Sequence, residues 1–315
     1  MSTLSGHAEP GYVDGPRGIA RFSNPVNVAY GPDGMLYVAD FDNGKIRMVD
    51  PEDGHTSTII AKQGFSRPFG MAFASDGTLY VSTDRNPTSG QQTLMTGTIW
   101  RVDIDARTAT PVAVGIGRPR GLAMLPNGKL AIADYAHHVI QIVDLASGVV
   151  TPLAGGWDAK GMVDGIGGAA KFSTPYGIVF KDGKLIVAEY DNHRLRVVGL
   201  DGSVSTLAGA AEGFADGAMA SAKFNQPQGL AIASNGDIFA TDLKNFRVRR
   251  ITGSAVDTIA GSGDGGFLDH DDRLQAQVYG LEGITVSPNG ATVFVADGTR
   301  GENVPYHRIR SIKMN

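Results

Sequence analysis

The chain has 315 residues, no cysteine, 43 glycines and a formal net charge of −4. The missing cysteines exclude disulfides and thiolate chemistry, and the mild acidity offers no attraction to nucleic acid or an anionic membrane. No apolar run approaches the roughly 18 residues of a spanning helix, and so much glycine suits a chain that turns sharply at short intervals.

Residues 1–21 read as pieces of something larger. Ser2-Thr-Leu-Ser-Gly6 repeats Ser205-Thr-Leu-Ala-Gly209, and Gly11-Tyr-Val-Asp-Gly15 repeats Gly213-Phe-Ala-Asp-Gly217. From Phe22 a longer pattern begins and recurs from Phe65, Ile116, Phe172, Phe224 and Val278. Its proline position is Pro25, Pro68, Pro119, Pro175, Pro227 and, altered, Leu281, with spacings of 43, 51, 56, 52 and 54 residues. In the first copy the strands are predicted over Val26–Tyr30, Met35–Ala39, Lys45–Val49 and Thr56–Ala61. An Asp-Gly or Asn-Gly pair (Asp33-Gly34, Asp76-Gly77, Asn127-Gly128, Asp182-Gly183, Asn235-Gly236, Asn289-Gly290) joins the first two strands of each copy, because tight hairpins need positive φ. A period near 50 residues with four strands per copy is a propeller signature.

The sixth copy runs out at its third strand, His307–Lys313. Its missing fourth strand is the N-terminal segment. The expected fold is therefore all-β: one six-bladed β-propeller over residues 1–315, four antiparallel strands per blade, with residues 1–6 completing the last blade. That closure removes exposed strand edges. The start Met-Ser-Thr-Leu carries no basic-then-apolar leader, which leaves the compartment open, and a monomer is expected.

Six copies act as an internal alignment. The position between Pro and Gly, innermost in the ring, reads Val26, Phe69, Arg120, Tyr176, Gln228 and Glu282. Two aromatics, a cation, an amide and an acid around one axis resemble a small-molecule pocket. Arg120 and Glu282 stand in opposite blades and are expected to face each other across a ligand-sized gap. Arg120 would stabilise an oxyanion, while Glu282, Tyr176 or a histidine such as His193 would move a proton. Phe69, Gln228 and Asn27 would contact substrate.

The end of the second strand reads Asp40, Thr83, Asp134, Glu189, Asp242 and Asp297. Five acids in six copies read as a structural device, with Thr83 and Glu189 singled out as substrate-contact candidates. Near the start of the third strand stand Gly44, His138, His193, Phe246 and His307. His138 and His307 join the site candidates because imidazole titrates near neutrality, against the plainer reading of solvated loop histidines. The long loop from Asp84 to Thr96 would overhang the low side of the rim, where the connectors after blades 1 and 2 are nearly absent. A second insertion, 298–306, belongs to blade 6.

The pattern Pro-x-Gly, Leu36-Tyr-Val-Ala-Asp40 and Asn192-His-Arg-Leu-Arg196 resembles the NHL repeat, and the likeness covers essentially the whole chain. Connectors such as Gly209–Gly217 and Gly155–Gly165 resemble one bacterial and plant type of that family. The resemblance implies six blades. It leaves function open between lactonases, lyases and binding modules. Gluconolactonase and senescence-marker propellers, more distantly similar, hold a divalent cation with Glu, Asn, Asn and Asp in the inner positions. Here Glu282 matches, Asn27 lies one place over, and Arg120 would repel a cation; the histidine of peptide-amidating lyases is absent. No cofactor and no central metal are therefore expected. A peripheral calcium at Asp269–Asp272 fits no defined loop, and a solvated acidic turn is preferred there. The expected function is metal-independent hydrolysis or lyase chemistry on a small ester- or lactone-like molecule in a funnel on the connector face. The alternative is a non-enzymatic module binding a protein or peptide on that face. Nucleic acid and membrane are excluded as partners.

Overall fold

The computed structural model describes residues 1–299, 302 and 304–314. Residues 300, 301 and 303, inside the insertion expected in blade 6, lie outside them. Six antiparallel sheets surround one axis. Their inner strands are Pro25–Tyr30, Pro68–Phe73, Pro119–Leu125, Pro175–Lys181, Pro227–Ile232 and Gly280–Val286. Each packs against the inner strands of both neighbouring blades, so the ring is closed. The N-terminal strand Ser2–His7 pairs with His307–Lys313 in blade 6, Ser2 opposite Ser311 and His7 opposite His307. Two connector segments, Gly165–Ile166 and Gly217–Ala218, add short fifth strands to the outer edges of blades 4 and 5, which covers those edges.

The core is divided among the six seams between blades. Phe22, Phe65, Ile116, Phe172, Phe224 and Val278, which open the six copies, are each buried in a different seam. Inner and second strands are apolar on both faces because each blade is sandwiched between two others. Glycine after the variable inner position has a packing reason. A Cβ at Gly70, Gly121, Gly177 or Gly229 would land on the carbonyl oxygen of the variable residue in the next blade. Blade 1 carries Asn27 there, and its Nδ2 donates to the Phe69 carbonyl (3.0 Å).

Long connectors are clasped to their blades by a buried arginine. Arg249 reaches Asp242 (2.6 Å) at the end of the second strand and Asp216 (2.6 Å) in the connector. Its guanidinium lies between the rings of Phe214 and Phe224. Arg47, Arg196 and Arg310 do the same between Asp40 and Asp14, Glu189 and Asp164, and Asp297 and Asp269. One guanidinium serves two carboxylates, and burial pushes Asp40 and Asp242 up to about 6 in spite of it. Blade 2 replaces the ion pair by a neutral one, Trp100 Nε1 donating to Thr83 Oγ1 (2.8 Å). Blade 3 uses Asp134 with His137 (2.7 Å) and Gln141.

Candidate functional site

The inner strands enclose a cavity of about 590 Å³ on the axis. Five of the six variable residues at its connector end are buried, and Tyr176 is partly so. Its opposite end is bounded by Gly31, Pro32 and Pro288 at the hairpin turns, and no connector residue lines it. The lining mixes small side chains such as Ala29, Ala72 and Ala123 with larger ones such as Met71, Leu122 and Phe180.

The expected funnel on the connector face is instead filled by a second ring of residues, those that follow the last position of each second strand (an acid in five blades, Thr83 in blade 2): Phe41, Asp84, Tyr135, Tyr190, Leu243 and Gly298. Phe41 meets Phe69 edge-on at 6.0 Å, Phe69 meets Tyr176 at 5.5 Å, and Tyr135 and Tyr190 flank Tyr176 at 5.8 and 5.9 Å. Aromatic pairs at these separations and angles are favourable beyond their area. The internal alignment carries the signal for this ring one residue further on, where five residue types occupy the six copies.

Arg120 is not the bare cation that the sequence suggested. Its Nη1 and Nη2 donate to Asp84 at 2.5 and 3.2 Å, and Arg118 donates to the same carboxylate at 2.6 Å. Burial alone would raise the Asp84 pKa, but the two guanidinium groups outweigh it and hold the carboxyl below its ordinary range. The Arg120 guanidinium also lies over Phe69 and Tyr135, 4.3 and 4.7 Å from the ring centroids. It is thus ion-paired and locked into the plug, sharing the Asp84 carboxylate with Arg118. The sequence places Asp84 only in an overhanging loop; in the structure it is a buried member of the second ring, bonded to Arg120.

Glu282 and Gln228 line the cavity and are buried. Burial, reinforced by the nearby Glu282 charge, holds the Tyr176 phenol well above its ordinary pKa, so it is a neutral hydroxyl. Gln228 is 4% exposed, and its Oε1 has no hydrogen-bond partner among the described residues. Arginine Nε atoms are unpartnered at many positions, clasps included, and decide nothing; an orphaned buried amide oxygen on the axis is a different matter.

The remaining candidates stand elsewhere. Glu189 is fully buried in the blade 4 clasp, holding Arg196, Asn192 and the Ser173 N–H as the aspartates do. Thr83 is occupied by Trp100. His138, His193 and His307 share one task at seams between blades. Each Nδ1 accepts the backbone N–H of the residue before the next blade's inner strand: Thr174, Gln226 and Asn24, at 3.0, 3.1 and 3.0 Å. None of the three lines the cavity. Burial pushes His307 down to about 4 and lowers His138, as expected where only the neutral ring can accept. Among the described residues no three His, Cys, Asp or Glu converge as a metal set. In the run 269–272, the Asp269 carboxylate is held by Arg310 and Thr3.

Residues 224–251, the first three strands of blade 5, match the NHL repeat model. NHL repeat-containing protein 2 of Homo sapiens is 27% identical over 297 residues, covering 78% of this chain. The chain is an NHL-repeat β-propeller. Suppressor of Quenching 1, a chloroplastic protein of Arabidopsis thaliana, is also 27% identical, over 79% of the chain. This propeller spans 41% of the human relative's length and 27% of the plant one's. Among solved structures, a Bacteroides thetaiotaomicron protein of unknown function superimposes on 99% of the chain and 75% of its own (TM-score 0.77, 17% identity). Virginiamycin B lyase from Staphylococcus aureus superimposes on 94% of the chain and 84% of its own, with TM-score 0.55 and 13% identity. At such identities these likenesses concern the fold alone.

Proposed function

We propose that this propeller acts on a small organic molecule held at the connector end of its axial cavity, against Tyr176, Gln228 and Glu282. The observation that carries the reading is the buried Gln228 amide oxygen, which has no partner among the described residues. A buried polar group without a partner costs about 1–3 kcal/mol, and a ligand that hydrogen-bonds it offsets that cost. The mostly apolar space of about 590 Å³ beside it is ample for such a molecule. The chemistry that suits this set best is metal-independent cleavage of an ester- or lactone-like bond. In hydrolysis Glu282 accepts a proton from the water that bonds to the acyl carbon; as the C–O bond breaks, the departing oxygen takes a hydrogen bond from the Tyr176 hydroxyl and then the proton held by Glu282. Arg120, tied to Asp84, positions the plug. The distant fold likeness to a lyase is compatible with this and adds no residue to it.

The test is a thermal-shift and mass-spectrometric screen of small esters, lactones and amides. Hits and turnover are expected with the parent protein and lost in Glu282→Gln. A hit whose binding or conversion is unchanged in Glu282→Gln and in Gln228→Leu overturns the reading. A second reading, a protein- or peptide-binding module, is favoured by one observation. The connector into blade 4 exposes Trp157, Met162 and Val163 together (47, 50 and 49% exposed).

A further inference from the structure

We propose that the seam between blades 1 and 2 is a binding site for a phosphate-type oxyanion. At three other seams a histidine Nδ1 takes the N–H of the residue before the next inner strand. At this seam the histidine position is Gly44, with the same left-handed backbone as its counterparts (φ 62° against 59° at His138 and 55° at His193). The missing imidazole leaves a cleft of about 430 Å³, lined by Gly44, Phe65, Ser66 and Arg67. The connector here is too short to fill it, unlike those entering blades 4, 5, 6 and 1.

Two features of the cleft call for an anion. The Ser66 and Arg67 N–H groups make no hydrogen bond among the described residues, although a carboxylate and a histidine hold their counterparts Ser23 and Asn24. Adjacent free amides form a concave anion seat. Around them stand Lys45, Lys62, Arg67 and Arg85, with Asp42 the one acid in the lining. None of these four cations forms an ion pair among the described residues, in a chain of net charge −4. Lys62 donates to the Ala109 carbonyl and Arg67 to Gln92. Lys45 lies over Tyr12, and the half-buried Arg85 makes no side-chain hydrogen bond or ion pair among the described residues. The occupant is thus an oxyanion that places one oxygen where the imidazole nitrogen would be and accepts from Arg85. Tetrahedral phosphate carries enough acceptors for both the amides and a guanidinium.

Titration calorimetry with inorganic phosphate, on the full chain at low salt, tests this. Saturable binding is expected, weakened about tenfold or more in Arg85→Gln, since a charge-assisted bond is lost, and weakened by added chloride. Gly44→His is the decisive variant. It restores the imidazole of the other seams, so it should abolish phosphate binding while the thermal midpoint stays level or rises. Absence of saturable binding by the parent, or parental affinity in Gly44→His, overturns the proposal. Malonate binding as tightly as phosphate overturns the assignment to phosphate. The axial cavity is untouched by Gly44→His, so this result and that of the small-molecule screen are read independently.

Discussion

Two glutamines in this propeller are almost equally buried, Gln141 at 5% and Gln228 at 4% exposed, yet replacing each by leucine should have opposite effects. Gln141 Nε2 donates to the buried Asp134 carboxylate at 3.3 Å. Its removal costs a hydrogen bond to a charged acceptor, about 1.5 kcal/mol or more. The Gln228 amide oxygen is buried at the cavity wall and has no hydrogen-bond partner among the described residues. Gln228→Leu removes that unpaid desolvation, about 1–3 kcal/mol, and adds apolar contact with little change in volume. The expected gain is about 1–2 kcal/mol after allowance for imperfect packing, or a midpoint rise of roughly 2–4 °C for a domain this size. Paired denaturant titrations with equal slopes, backed by calorimetry, measure both variants. Ligand binding at the axis should vanish in Gln228→Leu, the usual exchange of function for stability. If Gln228→Leu loses stability as Gln141→Leu does, the amide is satisfied in solution and the functional argument built on it fails.

Three further outcomes are expected. Arg249→Met leaves the fully buried Asp242 without its counter-charge and should cost about 3–5 kcal/mol by denaturant titration, with Asp242→Asn in the same chain recovering part of it. His307 has its folded pKa lowered to about 4 from 6.5. Its contribution to stability is therefore complete above pH 6.5 and lost as pH falls toward 4. The full shift corresponds to about 3 kcal/mol, which solvent at the rim reduces to about 1–2. His307→Asn keeps an acceptor for the Asn24 N–H but cannot titrate, so comparing the two proteins across pH 4–7 should isolate this loss; parallel curves would refute the latch. Deleting residues 1–6 uncovers the His307–Lys313 strand and removes Leu4 from its seam. Leu4 alone accounts for about 2 kcal/mol, and melting should become broader. A parental melting curve would mean that closure by the N-terminal strand is unimportant.

What the sequence determined by itself was everything carried by short-range pattern. Asp-Gly and Asn-Gly turns, two-sided apolar strands and a proline entry repeat locally, so blade number, strand order and the N-terminal closure follow without tertiary information. The variable inner position was legible for the same reason, and Gln228, Tyr176 and Glu282 do line the axial cavity. Pairing across blades was not legible. Asp84 binds Arg120 from 36 residues away, and the three seam histidines are committed to amides 33 to 283 residues distant. The unequal spacing of the copies hides these partners along the chain. Only the ring brings one blade's rim against the next blade's entry, and there an exposed-looking polar residue finds its partner or, as at Gln228 and beside Gly44, has none among the described residues.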